Sequence, residues 1–266
     1  MVDVAAGQLV YGVGSVIVWD SDSANEYQEC LLKSAIFERR PQQFDLLETI
    51  RWSSADGFFL LDRHLTRMRR SAAYFEYPFD ASTVRDALER AIEGRREPQR
   101  LRLMVSRDGA VRVECAPLDS TSAKPARVGI AAAPIDPSNV FLFHKTTHRV
   151  MYAAAAQPDC DDVVLWTASG DVTETTLGNI VVELNGQKVT PPIEAGLLAG
   201  TFREELLERG EIVEGRVTLD DLKSASRIWI VNSVREWWPA YIANAAATTP
   251  IATSAAMPTA AKRSQR

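Results

Sequence analysis

Between residues 128 and 232 short apolar runs alternate with stretches that carry an apolar stripe at helical spacing. The pattern predicts strands at 128–133, 162–167, 179–184 and 227–232, and helices near 146–157, 201–209 and 218–225. A chain so patterned buries its apolar faces by laying helices against a sheet, which is α/β architecture. Thr218, with Asp221 three residues on, is the acidic form of a capping box and marks the start of the last helix.

The preceding stretch has its own signals. FDLLETIRW and GFFLLD flank the turn from Ser53 to Gly57 and predict two strands. Leu61, Leu65, Met68, Ala72 and Phe75 step by four, three, four and three, so they form one face of a helix. Arg67 lies off that face, which leaves its head free to reach a ligand. Val84, Ala87, Leu88, Ala91 and Ile92 mark a second helix with Gly94 as its stop, and Asp108-Gly109 centres a hairpin over Leu101–Val105 and Val111–Cys115. Residues 116–127 read as a linker. A small α/β domain at 37–115 and a larger one at 128–246 are therefore expected, followed by an Ala/Thr/Ser-rich disordered tail at 247–266. Further upstream, Val16–Trp19 reads as a strand, and Ser23 with Glu26 as the cap of a helix.

Composition narrows the function. Hydrophobic residues make up 46% and charged residues 24%, a globular balance. A net charge of −5 without a basic stripe argues against a nucleic-acid partner. No apolar run approaches the ~20 residues of a membrane span, and MVDVAAGQLVYG lacks the build of a signal peptide. Three cysteines without CxxC spacing argue against a disulfide framework or a metal site and point to the cytoplasm.

Four segments could carry chemistry. Lys145, one of six lysines, follows an apolar run in FLFHKTTHRVMY. Desolvated, it would be an amine nucleophile or base; at a strand end, its head would sit in solvent. Glu174, in TASGDVTETTLGNIVVE, could hold a protonated ring nitrogen or be a solvated turn residue. Gly200, Thr201 and Phe202, in GLLAGTFREELLERG, open a helix whose free amides could bind phosphate, or they form a Gly-rich loop with a Thr cap. Asn232 and Ser233 end an apolar strand in RIWIVNSVREWWPA, where polar side chains enter α/β ligand sites or cap turns.

Taken in order, LLETIRW, LDRHLTRMRRSA, FHKTTHR, VTETTLGNI, GLLAGTFREELL and VNSVREWWPA resemble the class IV aminotransferases, the fold-type-IV pyridoxal-phosphate enzymes, over residues 44 to about 243. The resemblance implies a two-domain α/β (α+β) fold, pyridoxal 5′-phosphate as cofactor and a homodimer with the active site at its interface. By its terms Lys145 bonds the cofactor covalently and Glu174 faces the pyridine nitrogen. Arg67, Gly200, Thr201, Phe202 and Ser233 hold the phosphate. Arg149 and Asn232 match residues of the lyase branch and would meet substrate, with Arg51 and Arg235 in reserve. Where relatives often carry Asn, this chain has His148.

That branch implies a 4-amino-4-deoxychorismate lyase of folate biosynthesis, forming p-aminobenzoate and pyruvate. The alternatives are a branched-chain or D-amino-acid transaminase of the same fold, and an inactive or association-only remnant. Residues 1–36 resemble the carboxyl end of the chorismate-binding domain of aminodeoxychorismate synthase component I, to which such lyases occur fused. The resemblance makes a separate synthase chain a possible partner, and without the rest of that domain Glu26 and Glu29 are expected to do no magnesium chemistry.

Overall fold

The structure is a computed structural model that describes residues 2–3, 8–9, 22, 27, 30, 42–118 and 124–243. The expectations for Val16–Trp19, for the helix cap at Ser23 and Glu26, for Glu29 and for the tail from 247 lie outside these residues.

The chain divides into two compact units, Met1–Gln43 and Phe44–Arg266. In the first, strands β1 (Val2–Asp3) and β2 (Gln8–Leu9) pair antiparallel.

The second unit holds two sheets. One has strand order β4-β3-β5-β6, from β3 (Leu46–Ser53), β4 (Gly57–Phe58), β5 (Gln99–Val105) and β6 (Val111–Pro117). Helices α1 (Leu61–Phe75) and α2 (Ala81–Ile92) share its core. Leu46 and Ile50 of β3 and Leu101 and Leu103 of β5 pack there with Leu65, Met68, Val84 and Leu88. Strand alternation decides what the other face carries. Thr49 pairs with Arg102 and Arg51 with Arg100, so both β5 arginines point away from that core.

The other sheet has eight strands in the order β12-β11-β10-β13-β14-β7-β8-β9. They are β7 (Ala126–Ile130), β8 (Asp162–Trp166), β9 (Val172–Thr175), β10 (Asn179–Leu184), β11 (Gln187–Thr190), β12 (Val213–Glu214), β13 (Arg227–Asn232) and β14 (Glu236–Ile242). It is mixed: β7 runs parallel to β14 and β8, and β11 to β12. Ile180, Val182 and Ile230 face one core, and Val181 and Val231 the other. Three helices belong to this sheet: α3 (Val150–Ala155), α4 (Thr201–Glu208) and α5 (Leu219–Ser224). Phe202 and Leu206 of α4 pack against Val181 and Val231. The Thr218–Asp221 capping box forms as expected.

Several expectations are corrected. GFFLLD yields only a two-residue strand, because Leu60 turns left-handed (φ 54°) and Leu61 already opens α1. Both ends of the stretch read as a linker are in strands, Ala116–Pro117 in β6 and Ala126–Arg127 in β7, and residues 119–123 lie outside the described set. Residues 172–175 and 236–242, which carried no strand expectation, are strands. Helix α3 starts at Val150, not near 146, because Thr146 bridges to Leu46 and holds the preceding backbone extended.

Candidate active site

A cavity of about 400 Å³ lies where the two sheets of the second unit meet. Lys145, Arg67, Glu174, Gly200, Thr201, Arg149, Asn232 and Ser233 all line it. These positions are up to 166 residues apart in sequence, from Arg67 to Ser233.

Lys145 reaches the cavity from an irregular segment strapped to the edge of β3. The Leu47 amide donates to the Lys145 carbonyl (2.9 Å), and the Thr147 amide donates to the Asp45 carbonyl (2.9 Å). Burial lowers the ammonium pKa to about 8, with Arg67 and Arg149 acting in the same direction and Glu48 and Glu174 against it. A substantial neutral fraction near pH 7–8 makes it a competent nucleophile or base.

Glu174 is not a turn residue. It sits in β9, 3% exposed, in a strand whose four residues are all buried. The Tyr152 hydroxyl donates to its Oε1 (2.7 Å) and the Leu198 amide to its Oε2 (3.3 Å). Burial still outweighs these bonds and raises the carboxyl to about 7. A carboxyl so poised exchanges a proton readily with a basic ring nitrogen.

Arg67 is held rather than free. Its Nε and Nη2 donate to the two oxygens of Glu48 (2.8 and 2.6 Å), and its Nη1 to the Ala199 carbonyl (2.8 Å). Of the five guanidinium hydrogens, two remain for a ligand. Across the cavity, α4 begins at Gly200, which caps it without a side chain, so its first-turn amides have no side-chain acceptor. The glycine is required by approach and not by dihedral: a Cβ there would collide with Asn179 Oδ1. Ser233 is buried, its hydroxyl 3.4 Å from the Thr49 carbonyl.

Not every expected residue takes the place assigned to it. Phe202 does not line the cavity; its side chain belongs to the core under α4, and only its amide belongs to the helix start. Arg149 immediately precedes α3 and is already engaged by the protein: its Nη2 donates to the Thr176 carbonyl (2.5 Å) and its guanidinium stacks on Tyr152. The Asn232 side chain accepts from the Val234 and Arg235 amides and donates to the Leu177 carbonyl, so it shapes the β13–β14 turn. Arg51 pairs with Glu236 (2.7 Å) and is absent from the lining, whereas Arg235 lines it and stacks on Trp238.

Sequence reasoning missed four residues. Arg100 and Arg102, both exposed, line the cavity, and their alternation with Leu101 and Leu103 was a legible sign of a shared face. Tyr152 was missed because its partner is 22 residues away. Glu48 lay unnoticed in an apolar strand.

These groups suit one kind of ligand: an amine for a carbonyl, a carboxyl for a basic ring nitrogen, and a guanidinium, helix-start amides and a hydroxyl for a phosphate. The lack of a side-chain cap at Gly200 leaves the helix-start amides available to such a group.

The family model for amino-transferase class IV matches residues 45–241. A Schizosaccharomyces pombe protein provisionally named an aminodeoxychorismate lyase is 31% identical over 73% of this chain and 88% of its own. An aminodeoxychorismate lyase of Saccharomyces cerevisiae is 25% identical over 71% of this chain and 68% of its own. The crystal structure of a Mesorhizobium loti protein provisionally named an amino-acid aminotransferase is 33% identical, with a TM-score of 0.71 over 75% of this chain and 99% of that one.

Proposed function

The chain belongs to the class IV aminotransferases, and we propose that within them it is a 4-amino-4-deoxychorismate lyase, releasing p-aminobenzoate and pyruvate for folate synthesis. The cofactor is pyridoxal 5′-phosphate. When bound, it supplies an electron sink for the pair left by a broken C–H bond.

The observation that carries the lyase reading is the charge of the cavity. Arg100, Arg102, Arg149 and Arg235 line it together with Arg67, and Glu174 is the one acidic residue among the lining groups. Such a wall suits a substrate with two carboxylates and opposes an aliphatic side chain. Similarity to the two yeast proteins points the same way.

In this reading Lys145 is the covalent anchor and then, as a free amine, the base that takes the proton from the substrate ring carbon bearing nitrogen. Its pKa, lowered by burial to about 8, leaves a substantial unprotonated fraction for that task. Glu174 shares its proton with the ring nitrogen, and Tyr152 keeps its carboxyl in place. Arg67, the amides of Gly200, Thr201 and Phe202, and the Ser233 hydroxyl hold the phosphate. Arg149, Arg100 and Arg102 meet the substrate carboxylates, and Asn232 holds the turn beside them. The enolpyruvyl group leaves as pyruvate, and the ring becomes aromatic with no net oxidation.

The transaminase reading is favoured by similarity to the Mesorhizobium loti protein and to a provisionally named branched-chain aminotransferase of Thermotoga maritima. Incubation of the cofactor-loaded protein with aminodeoxychorismate separates the two. The lyase forms p-aminobenzoate and pyruvate in equal amounts with no added oxo acid. Turnover only with an amino donor paired to an oxo acid, and no pyruvate from aminodeoxychorismate, sinks the lyase reading. A cytoplasmic homodimer goes with this proposal, and sedimentation of the loaded protein tests the dimer. Mixing with a separate synthase chain tests that association.

A further inference from the structure

Glu48 stands where an apolar residue belongs. Strand alternation puts Leu46, Glu48 and Ile50 on one face of β3, and all three are 0% exposed. Their neighbours Leu47 and Thr49 line the cavity; Glu48 does not. A carboxylate in such a place is costly unless fully paired, and this one is. It accepts from Arg67 Nε (2.8 Å), from Arg67 Nη2 (2.6 Å) and from His64 Nδ1 (2.7 Å). His64, also 0% exposed, turns its other nitrogen to Thr201 Oγ1, 3.4 Å away at the first residue of α4.

Two separate elements are tied through this one carboxylate: the guanidinium on α1 and the amide-bearing start of α4. Arg67 is bound at both ends of its fork, by Glu48 and by the Ala199 carbonyl, which is itself one residue from Gly200. Its plane is therefore fixed before any ligand arrives. Burial lowers the imidazole pKa, which leaves His64 neutral near pH 7. With Nδ1 donating to the carboxylate, Nε2 is the acceptor, and the Thr201 hydroxyl donates to it. The Thr201 hydrogen is thereby committed to His64, and its amide is left for an anion.

We infer that Glu48 is a positioning residue for phosphate recognition, aiming Arg67 directly and the start of α4 through His64 and Thr201, without touching the ligand. The inference rests on the reading that Arg67 grips the cofactor phosphate. Pre-setting the fork means that binding does not have to order it. A glutamine cannot replace the carboxylate: its amide NH₂ would face an Arg67 N–H, and the guanidinium would tip.

The test compares pyridoxal phosphate with pyridoxal, which lacks the phosphate, by absorbance titration of the apoprotein. Glu48→Gln is expected to weaken pyridoxal phosphate by about tenfold, the scale of one lost charge-assisted bond, and to leave pyridoxal within about twofold. Glu48→Asp, which keeps the charge but withdraws it by one methylene, should give an intermediate loss for the phosphate compound alone. It carries the same comparison where the glutamine variant does not fold. Equal weakening of both compounds, or no change in either, overturns the inference in favour of a structural role. Arg67→Ala separates the two levels. If it leaves the ratio of the two affinities unchanged, the reading of Arg67 itself fails. If it collapses the ratio while both Glu48 variants keep it, only the inference about Glu48 fails.

Discussion

The Leu47 amide donates to the Lys145 carbonyl at 2.9 Å, so the lysine is carried by a backbone bond to a strand of the other sheet. Leu47 also lines the same cavity. The position of the amine thus depends on the packing of β3, and not on a helix or strand of its own.

Lys145→Ala should abolish the adduct that borohydride traps on the loaded protein. Mass spectrometry of the reduced, digested protein checks this; an adduct on another lysine overturns the assignment. Removing the amine should not harm the apoprotein. The folded pKa of about 8 lies below the ordinary 10.5, so Lys145 favours folding above pH 10.5 and that contribution is lost as pH falls through 8. Lys145→Met should therefore raise the apoprotein Tm at pH 7 relative to the wild type, and the gain should shrink by pH 10.

Glu174 has the opposite sign. Its folded pKa of about 7 lies above the ordinary 4.5, so its protonated form favours folding below pH 4.5 and that advantage is lost as pH rises through 7. At ~1.4 kcal/mol per pH unit, the loss across that window is at most on the order of 3 kcal/mol. Glu174→Gln, which cannot ionise, should make the apoprotein more stable than the wild type at pH 8 and remove the gain at pH 4.5. The same variant should cut kcat by about a hundredfold or more once loaded. Denaturant titration at the two pH values and steady-state kinetics read the two effects.

Gly200→Ala should cost the fold ~1–3 kcal/mol, because the new methyl meets Oδ1 of Asn179, a buried side chain whose Nδ2 donates to the Leu198 carbonyl. Cofactor affinity should fall with it, since the amides of the α4 start shift. A variant with unchanged Tm and unchanged cofactor titration would show that the helix start yields freely.

Arg100→Ala and Arg102→Ala should raise KM for aminodeoxychorismate by about tenfold each and leave cofactor affinity unchanged. The arginines are exposed and reach the cavity from β5, and neither has a hydrogen bond to Lys145, Glu174 or Arg67 among the described residues. A KM unchanged in both variants removes them from the substrate-binding wall.

Local periodicity made much of the architecture legible. The Leu61–Phe75 stripe became α1 to the residue, and the strands at 179–184 and 227–232 have the expected bounds. Elements failed where tertiary pairing overrode local signals. The β9 strand carries Thr173, Glu174 and Thr175, polar residues that read as loop, and their burial comes from pairing with β8 and from the sheet around them. The candidate site was legible as a set of residues because each motif is short and contiguous. The ties between motifs were not, since Glu48 with Arg67 and Tyr152 with Glu174 are relationships of space. Arg67 illustrates the difference: its position off the apolar stripe was readable, but the carboxylate that clamps it was not.

Four consecutive residues of β3 hold partners from three distant parts of the chain. Leu46 and Leu47 strap the lysine segment, Glu48 clamps Arg67, and Thr49 offers its carbonyl to Ser233. During synthesis Leu46–Thr49 leave the ribosome well before Ser233, so the anion end of the cavity stays unbuilt until β13 has emerged. Capture of the cofactor thereby waits for β13, and its yellow colour on a nascent or truncated chain is a stop-point reporter. A ribosome-arrested chain ending before β13 stays colourless, and one extended past β14 takes the colour up.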